Sequence, residues 1–267
     1  MTSDQDAQAV QRFEHETWSR CADGYMDGFA GLTRETLPPL IEAAGLGAGY
    51  DVLEIGSGPG HIAAALAETG ASVTGIDFSG SMVETARQRY PQLTFEEADA
   101  EDLPFADGHF DAVVSNFVVH HLARPEAVFK EVCRVLKPGG RFAFAVFADP
   151  AAQSSFGAFF GAIEEHHSLD ELPHGPLFGV TDLALYERLL HAGGLGDCRF
   201  DFNGITWRTK TLDPVVQSLW SWGNMAALNQ ELQDRIEAST RENMQGFQQK
   251  GGFAFAHEAL IGSASRP

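Results

Sequence analysis

Val52-Leu53-Glu54-Ile55-Gly56-Ser57-Gly58-Pro59-Gly60 (VLEIGSGPG) carries the strongest fold signal in this chain. It places three glycines directly after a predicted strand and directly before a helix predicted to begin at His61. Glycine permits a positive φ and lets a ligand approach the backbone, and the first amides of a helix can donate to a carboxylate or phosphate. A dinucleotide fingerprint, GxGxxG, would require a glycine where this chain has His61. The stretch therefore predicts a cofactor loop of another kind, with an ordinary strand–helix turn as the alternative.

Strands and helices alternate around this loop, between residues 50 and 147. Apolar and β-branched runs predict five strands, at Tyr50–Ile55, Ala71–Ile76, Leu93–Glu97, Phe110–Asn116 and Arg141–Phe147. Helical spacing and capping residues predict three helices, at His61–Glu68, Ser79–Arg89 and Pro125–Leu136. Strands that alternate with helices of about ten residues form parallel sheets with right-handed crossovers. The chain is therefore predicted to be an α/β protein.

The alternation stops after residue 150. Helical spacing continues around Phe156–Ile163, at Thr181–His191 with Thr181 as the cap, and over Asp213–Gln249. Strand-like patterns occur at Asp197–Ile205 and Phe253–Ile261. The simplest interpretation is a helical insertion between two late strands of one sheet.

A carboxylate stands at the end of the second predicted strand, in Gly75-Ile76-Asp77-Phe78-Ser79. Ribose hydroxyls bind at this place in nucleotide-binding α/β folds. The Asp77 carboxylate can accept hydrogen bonds from two neighbouring hydroxyls, and it would repel a 2′-phosphate. The pattern therefore favours an adenosine ligand without that phosphate and disfavours NADP.

The chain of 267 residues is strongly acidic, with 18 Lys plus Arg against 37 Asp plus Glu and a formal net charge of −19. A nucleic-acid partner requires clustered Lys and Arg that neutralise phosphates. The composition therefore argues against nucleic acid as a partner. Most of the acidity is interpreted as a solvated surface.

Cysteine usage and the apolar pattern predict the compartment. Cys21, Cys133 and Cys198 form no CxxC pair and are typical of reduced thiols. Residues 1–16 are acidic and polar, unlike a secretory signal or a basic transit peptide, and no window is apolar enough to span a membrane. We therefore expect a cytoplasmic protein without a membrane span.

Four motifs in unbroken order, over about residues 50–147, resemble those of the class I S-adenosylmethionine-dependent methyltransferases. The nearest branch contains the quinone-biosynthesis C-methyltransferases and many small-molecule methyltransferases. The motifs are VLEIGSGPG (52–60), GIDFSGSM (75–82), ADAEDLPFADGHFDAVVSNFVVHHL (98–122) and EVCRVLKPGGRFAF (131–144). The resemblance implies a Rossmann-like, doubly wound, mostly parallel sheet with a last antiparallel strand and a helical cap insertion.

The expected organisation has three parts. Residues 1–49 form N-terminal lid helices, and residues 50–204 with 251–267 form the S-adenosylmethionine-binding domain. Residues 205–250 form a helical substrate cap, to which 150–180 contribute.

The resemblance also implies a set of cofactor-binding residues. Glu54 and the glycine backbones would hold the methionine moiety, Asp77 the ribose hydroxyls, and Asp99 the exocyclic amine of adenine. Asn116 would line the position of methyl transfer, and Tyr25 would contact the cofactor carboxylate unless it is an ordinary half-buried helix residue. The full set is Tyr25, Glu54, Gly56, Ser57, Gly58, Gly60, Asp77, Phe78, Met82, Asp99, Ala100 and Asn116.

Two histidines are candidate catalytic residues. His120 and His121 directly follow the fourth predicted strand, at the sheet edge where a general base would be useful. A base matters only if the acceptor must lose a proton, and a histidine in this turn can also simply cap or pack. The sequence does not separate the two residues.

Three further histidines, His166, His167 and His174, lie near acidic residues that include Asp170. Their spacing matches no strong metal motif, because a metal site requires converging ligands. We expect a solvated loop and no metal.

The aromatic residues of the segments 150–180 and 205–250 are typical of core positions. A helical cap over the carboxyl edge of the sheet would nevertheless enclose an apolar cavity. We therefore expect a small, largely apolar or aromatic acceptor, methylated on oxygen or carbon by direct in-line displacement, with S-adenosylhomocysteine as the coproduct. The alternatives are an NAD-dependent oxidoreductase and a non-catalytic module that binds S-adenosylmethionine. The acceptor, the attacking atom and the oligomeric state are not predicted.

Overall fold

The computed structural model describes residues 4–22, 24–148, 154–167 and 174–267. The strands are β1 Asp51–Ile55, β2 Ser72–Asp77, β3 Thr94–Glu97, β4 Phe110–Asn116, β5 Leu136–Ala148, β6 Gly196–Thr209, β7 Gln248–Gln249 and β8 Gly252–Ser265. The α-helices are α1 Asp4–Cys21, α2 Phe29–Thr33, α3 Leu37–Ala44, α4 His61–Ala67, α5 Gly80–Arg89, α6 Pro125–Val135, α7 Ser155–Glu164, α8 Leu183–Ala192, α9 Asp213–Trp222 and α10 Gln230–Met244. Single 3₁₀ turns lie at Arg34–Thr36, Val119–His121, Met225–Ala227 and Gln245–Phe247.

The strands form one sheet in the order β3-β2-β1-β4-β5-β8-β6, and β7 pairs with β8. β1 to β5 pair in parallel. β8 is antiparallel to both of its long neighbours, β5 and β6. The predicted α/β fold with a last antiparallel strand is therefore confirmed, and that strand lies inside the sheet rather than at its edge.

Helices cover both faces of the sheet, because its central strands are apolar on both sides. Val52 and Ala143 face one apolar cluster, to which α3 and α4 contribute. Their neighbours Leu53 and Phe142 face the other cluster, to which α6 and α8 contribute. The alternation along each strand therefore builds a doubly wound, three-layer domain.

The end of α6 and the start of β5 differ from the predicted boundary. β5 begins at Leu136 rather than Arg141, because the turn at residues 137–140 is hydrogen-bonded to the residue that follows β8. Gly139 N donates to Arg266 O, and Arg266 N donates to Gly140 O, both at 2.9 Å.

Two predicted features of the later helices are wrong. Thr181 is not the cap of α8, because the Asp182 side chain accepts the Ala184 amide at 3.0 Å and the helix begins at Leu183. The helical stretch predicted over 213–249 is broken, since Asn224 adopts a left-handed conformation (φ 52°) after α9. Among the described residues, no helix is long and apolar enough to cross a membrane.

The order in which strands are added to the sheet reverses between β1 and β4. The segment β1-β2-β3 builds outward on one side, and β4-β5 builds outward on the other. In open α/β sheets, ligands bind outside the carboxyl ends of the strands at such a reversal. The carboxyl ends of β1, β2 and β4, at Ile55, Asp77 and Asn116, meet there.

Candidate cofactor site and adjoining aromatic cavity

The glycine loop turns sharply after β1. The amides of Gly56 and Ser57 both donate to Ile76 O, at 2.8 and 2.9 Å, which ties the loop to β2. Gly56 and Gly58 have φ values of 71° and 51°, a region that other residues rarely adopt. A Cβ at Gly56 would overlap the Val118 side chain, whereas a Cβ at Gly58 would meet open space. Glycine is therefore required at one position by both conformation and packing, and at the other by conformation.

Asp77 closes this loop from the end of β2. Its Oδ2 accepts from Gly58 N and its Oδ1 accepts from Ser79 N, both at 2.9 Å. Burial raises the pKa of the Asp77 carboxyl to about 6, although the two amides act in the opposite direction. Each carboxylate oxygen can accept a second hydrogen bond, so Asp77 retains capacity for two hydroxyl donors.

Glu54 lies beneath the loop, 1% exposed. Its Oε2 has no hydrogen-bond partner among the described residues. Burial, and then the nearby Asp77, raise the pKa of Glu54 well above its usual value. A buried carboxylate oxygen without a partner, near a ligand loop, is a place where a cationic or hydrogen-donating group of a ligand gains the most.

A large cavity of about 520 Å³ opens at the carboxyl edge, next to these residues. Asp99 Oδ1 accepts from Glu101 N at 2.8 Å, which holds the loop after β3 at the rim. The lining includes the predicted residues Gly56, Asp77, Phe78, Asp99, Ala100 and His121, together with Gln11, Glu14, His15 and Val118.

A smaller space of about 50 Å³ continues from this cavity towards the N-terminal helices. It is lined by the predicted residues Tyr25, Gly56, Gly58, Asp77, Phe78, Met82, Asn116 and His121. Asn116 is fixed here, because Thr36 Oγ1 donates to its Oδ1 at 2.8 Å and its Nδ2 donates to Thr33 O at 2.9 Å. Burial raises the pKa of the Tyr25 hydroxyl, which is hydrogen-bonded to Thr33.

An aromatic cavity of about 90 Å³ adjoins the smaller space. Its lining is Trp18, Tyr25, Phe29, Thr33, Phe117, His120, His121, Phe147, Phe156, Phe160, Phe178, Gly179 and Trp222. Phe178 and Trp222 are stacked, with ring centroids 6.1 Å apart and planes at 10°. Side chains from the N-terminal helices, the sheet edge, α7 and α9 thus enclose one apolar space.

The two candidate histidines differ in their surroundings. The His120 ring lies 4.1 Å from that of His121, and its Nδ1 has no partner among the described residues. Burial and then His121 hold the pKa of His120 well below its usual value. His121 Nδ1 lies 3.0 Å from Glu14 Oε1, and His121 lines all three cavities.

Not every predicted cofactor residue lines a cavity. Glu54, Ser57 and Gly60 line none of the three cavities, and the buried Ser57 Oγ has no partner among the described residues. Gly60 is the N-cap of α4, with φ 84°, and a Cβ there would meet the Phe95 ring. The structure therefore brings nine of the twelve to the cavity walls and leaves these three away from them.

Sequence reasoning missed Glu14, Thr33 and Thr36. Glu14 carries a readable signal, because the buried residues of α1 are Ala7, Val10, Glu14, Thr17 and Cys21. That spacing is the apolar stripe of a helix, and an acidic residue within it is unusual. Thr33 ends α2 and Thr36 ends the 3₁₀ turn before α3, and neither carries such a signal.

The histidines near residue 170 form no candidate metal cluster. Across the described ranges, no group of three or more His, Cys, Asp or Glu side chains is arranged to hold a metal ion. Asp170, like part of the predicted 150–180 contribution to the cap, lies outside the described residues.

The family described as methyltransferase domain matches residues 53–144. These residues are a methyltransferase domain. The match runs from β1 to β5 and contains the glycine loop, Asp77, Asp99 and both candidate histidines. The family resemblance of the four motifs is confirmed over this domain.

Curated relatives match the methyltransferase domain and its immediate surroundings. The demethylmenaquinone methyltransferase of Beutenbergia cavernae is 38% identical over 131 residues, 49% of this chain and 54% of that protein. The biotin biosynthesis bifunctional protein BioHC of Cellvibrio japonicus is 39% identical over 130 residues, 47% of this chain and 25% of that protein. The chain thus spans about half the length of the demethylmenaquinone methyltransferases that it matches.

Solved structures share the fold over most of the chain. The YcgJ protein of Bacillus subtilis has a TM-score of 0.58 at 21% identity and covers 87% of this chain and 98% of that one. The geranyl diphosphate C-methyltransferase of Streptomyces coelicolor has a TM-score of 0.52 at 17% identity, covering 87% and 78%. At these identities the likeness establishes the fold of the methyltransferase domain and its surroundings.

Proposed function

We propose that this chain transfers a methyl group from S-adenosylmethionine to a small, largely apolar or aromatic acceptor. The observation that carries the proposal is the meeting of two different cavities at His121. One is large and polar-rimmed and lies against the glycine loop. The other is enclosed by aromatic rings. A methyl donor in the large cavity and an acceptor in the aromatic cavity would therefore lie close to each other.

The chain's own groups fit this donor. Asp77 keeps acceptor capacity for two ribose hydroxyls beside its two amide bonds. Glu54 has an unpartnered buried oxygen for an ammonium group near the loop. Gly58 leaves the backbone open to close approach, since no atom occupies the place of a Cβ. Asp99 would accept from the adenine amine at the rim.

When bound, the sulfonium supplies an intrinsically electrophilic methyl group, so the protein needs mainly to align the partners and exclude water. The stacked Phe178 and Trp222, with the other rings of the aromatic cavity, would hold a flat acceptor by its faces. Asn116, fixed by Thr36 and Thr33, would shape the point of transfer. Tyr25 and Met82 would close the methionine side.

The acceptor class follows from the lining of the aromatic cavity. Among the described lining residues, none is Asp, Glu, Lys or Arg, so the cavity favours an uncharged ring over an ion. The name of the relatives, demethylmenaquinone methyltransferase, also indicates a quinone ring as one acceptor of this class. Methylation at an oxygen or at a carbon of such a ring would fit the proposal.

Calorimetric titration with S-adenosylmethionine, S-adenosylhomocysteine and NAD tests the donor. We expect both sulfur compounds to bind and NAD to bind far more weakly. Tight binding of NAD alone would contradict the proposal and favour an oxidoreductase. Release of S-adenosylhomocysteine, measured over a panel of phenols, hydroquinones, keto acids and amines, then tests transfer. If the chain binds S-adenosylmethionine but methylates none of these compounds, a non-catalytic module would be favoured.

A further inference from the structure

Glu14 is an acidic residue on the buried face of α1. It is 5% exposed, and both of its oxygens are engaged. Oε2 accepts from the Trp18 indole Nε1 at 3.0 Å, and Oε1 lies 3.0 Å from His121 Nδ1. Indole N–H is only a donor, so the geometry points to Glu14 as an acceptor on both sides.

This contact fixes which nitrogen of His121 carries the proton. An ionised carboxylate only accepts hydrogen bonds, so Nδ1 must donate to Glu14. In the neutral imidazole the lone pair is then on Nε2. Nε2 has no hydrogen-bond partner among the described residues, and the ring lines the cofactor cavity and the aromatic cavity at once. A proton acceptor therefore stands between the two cavities.

Several other titratable groups lie around His121. On its own turn, His120 lies beside it. Across the cavities, Asp77 lies at the end of β2, and Glu101 is paired with Arg124 at 3.0 Å. The remaining titratable groups nearby are Glu97, Asp99 and His15, which line the large cavity, Tyr25, in the aromatic cavity, and His174, which stacks on Phe178. Glu14 is the carboxylate in hydrogen-bond contact with the ring.

We propose that Glu14 and His121 act as a carboxylate–imidazole pair that deprotonates a hydroxyl group on an aromatic acceptor. The inference rests on the proposed function and narrows its acceptor to a phenol or hydroquinone. The hydroxyl proton passes to His121 Nε2, the oxygen forms the bond to the methyl carbon, and the sulfur–methyl bond breaks with its electron pair left on sulfur. The proton then leaves the imidazolium for water, so one phenol and one sulfonium give one methyl ether, one thioether and one proton.

Glu14 is a positioning residue in this scheme. It orients the ring, fixes its tautomer and stabilises the imidazolium once it has formed, as a carboxylate does for a general-base histidine. It comes from α1, outside residues 53–144. The base is therefore complete only when the N-terminal helix packs on the methyltransferase domain.

A binding experiment tests the pair without turnover. The full chain is saturated with S-adenosylhomocysteine and titrated with 4-nitrophenol below the pH at which the free phenol ionises. Quenching of tryptophan fluorescence reports binding, since Trp18 and Trp222 line the cavity, and visible absorption reports the phenolate. We expect the bound probe to show the phenolate band in the wild type and to lose most of it in His121→Gln and Glu14→Gln.

The matched control is Glu16→Gln, on the exposed face of the same helix, which should keep the wild-type band. Thermal unfolding and the affinity for S-adenosylhomocysteine identify any variant that is misfolded. A probe that binds to the wild type as the neutral phenol, or an equal band in Glu14→Gln, would overturn the pair. Failure of the probe to bind at all would overturn the acceptor class.

Kinetics on the hydroxylated acceptors of the activity panel give the second test. General-base catalysis contributes about 10²–10⁴-fold, so we expect His121→Gln to lower kcat by about that range with KM nearly unchanged. Glu14→Gln should lower kcat by a smaller factor than His121→Gln and change the shape of the kcat–pH profile. A Glu14→Gln profile that falls at every pH by the same factor would show a structural role only. Turnover restricted to acceptors without a hydroxyl would overturn this inference and leave the proposed methyl transfer standing, whereas absence of S-adenosylmethionine binding would overturn both.

Discussion

Gly58 N lies 2.9 Å from Oδ2 of Asp77, so the last residue of β2 holds the loop that follows β1. One carboxylate thereby serves two purposes. It satisfies backbone amides that would otherwise be unpaired, and it keeps lone pairs available to the cavity of about 520 Å³. The shape of the loop and the chemistry of the site depend on the same side chain.

Removing this carboxylate should weaken cofactor binding. Asp77→Ala loses two charge-assisted hydrogen bonds to ribose hydroxyls, each worth about 1.5–3 kcal/mol. We therefore expect the Kd for S-adenosylhomocysteine to rise by at least about 100-fold in calorimetry. Asp111→Ala is the matched control, because Asp111 is near the start of β4 and pairs with Lys137 instead. An unchanged Kd in Asp77→Ala would refute the ribose role.

The pH dependence of stability should report the buried Asp77. Its pKa is raised to about 6 by burial, against about 3.9 in an unfolded chain. The native state therefore binds more protons than the unfolded state between about pH 4 and 6, and the free energy of unfolding contributed by Asp77 falls by about 3 kcal/mol as pH rises through this window. Glu54 acts in the same direction.

Urea unfolding of the ligand-free protein between pH 4 and 7 measures this contribution. The difference between the wild type and Asp77→Asn isolates Asp77 from the other carboxyl groups. We expect the wild type to lose stability relative to the variant as pH rises. Parallel curves for the two proteins would contradict the raised pKa.

The two glycines of the loop should respond differently to alanine. Gly58→Ala places a Cβ in open space, so only the left-handed conformation is penalised, by about 1–2 kcal/mol. Gly56→Ala adds overlap with Val118, and overpacking costs about 1–3 kcal/mol more. In urea unfolding, Gly56→Ala should therefore have a lower free energy of unfolding than Gly58→Ala.

Val118→Ala supplies the control for the overlap. In a double-mutant cycle, Gly56→Ala should be less destabilising on the Val118→Ala background than on the wild type. Additive effects of the two substitutions would show that the packing argument is wrong and that backbone conformation alone requires glycine at 56.

Phe178 should contribute to acceptor binding and not to cofactor binding. Its ring stacks on Trp222 in the aromatic cavity and does not line the large cavity. Truncation removes about 1.5–3 kcal/mol of buried apolar contact, so Phe178→Ala should raise the KM of an aromatic acceptor about 10- to 100-fold. The Kd for S-adenosylhomocysteine should stay at its wild-type value.

Phe202→Ala is the matched control, because Phe202 lies on β6 and is 49% exposed. It should change neither constant. A loss of cofactor affinity in Phe178→Ala, equal to its loss of acceptor affinity, would place the ring in a structural role.

The boundaries of β4 and the Ser79 cap of α5 were predictable because they depend on local signals. Phe110–Asn116 is a largely apolar stretch centred on two adjacent valines, and the Ser79 side chain accepts the Met82 amide as expected of a cap. The cap of α8 was mispredicted because Thr181 and Asp182 are both good caps. Their order of preference is set by where the chain enters from the preceding loop, which the sequence does not encode locally.

The candidate site divides in the same way. Gly56, Gly58 and Asp77 were predicted because each occupies a fixed place relative to a strand end, and parallel strands bring their carboxyl ends together. Asp99 was predicted from the family resemblance. Glu14 was missed because its partner, His121, is 107 residues away along the chain. Only the packing of α1 against the sheet edge brings that pair together.

The α/β class, the glycine loop and the family resemblance of residues 53–144 could be predicted from the sequence alone, because strand–helix alternation and glycine spacing are local properties of the chain. The cavity wall on which each residue lies depends instead on how the elements pack together. This packing buried both Glu54 and Asp77, which raises the pKa of each, and placed Asp77 close enough to raise the pKa of Glu54 further, and it joined Glu14 to His121 between two cavities. Burial and long-range contact arise from how helices cover the sheet, and no local pattern specifies them.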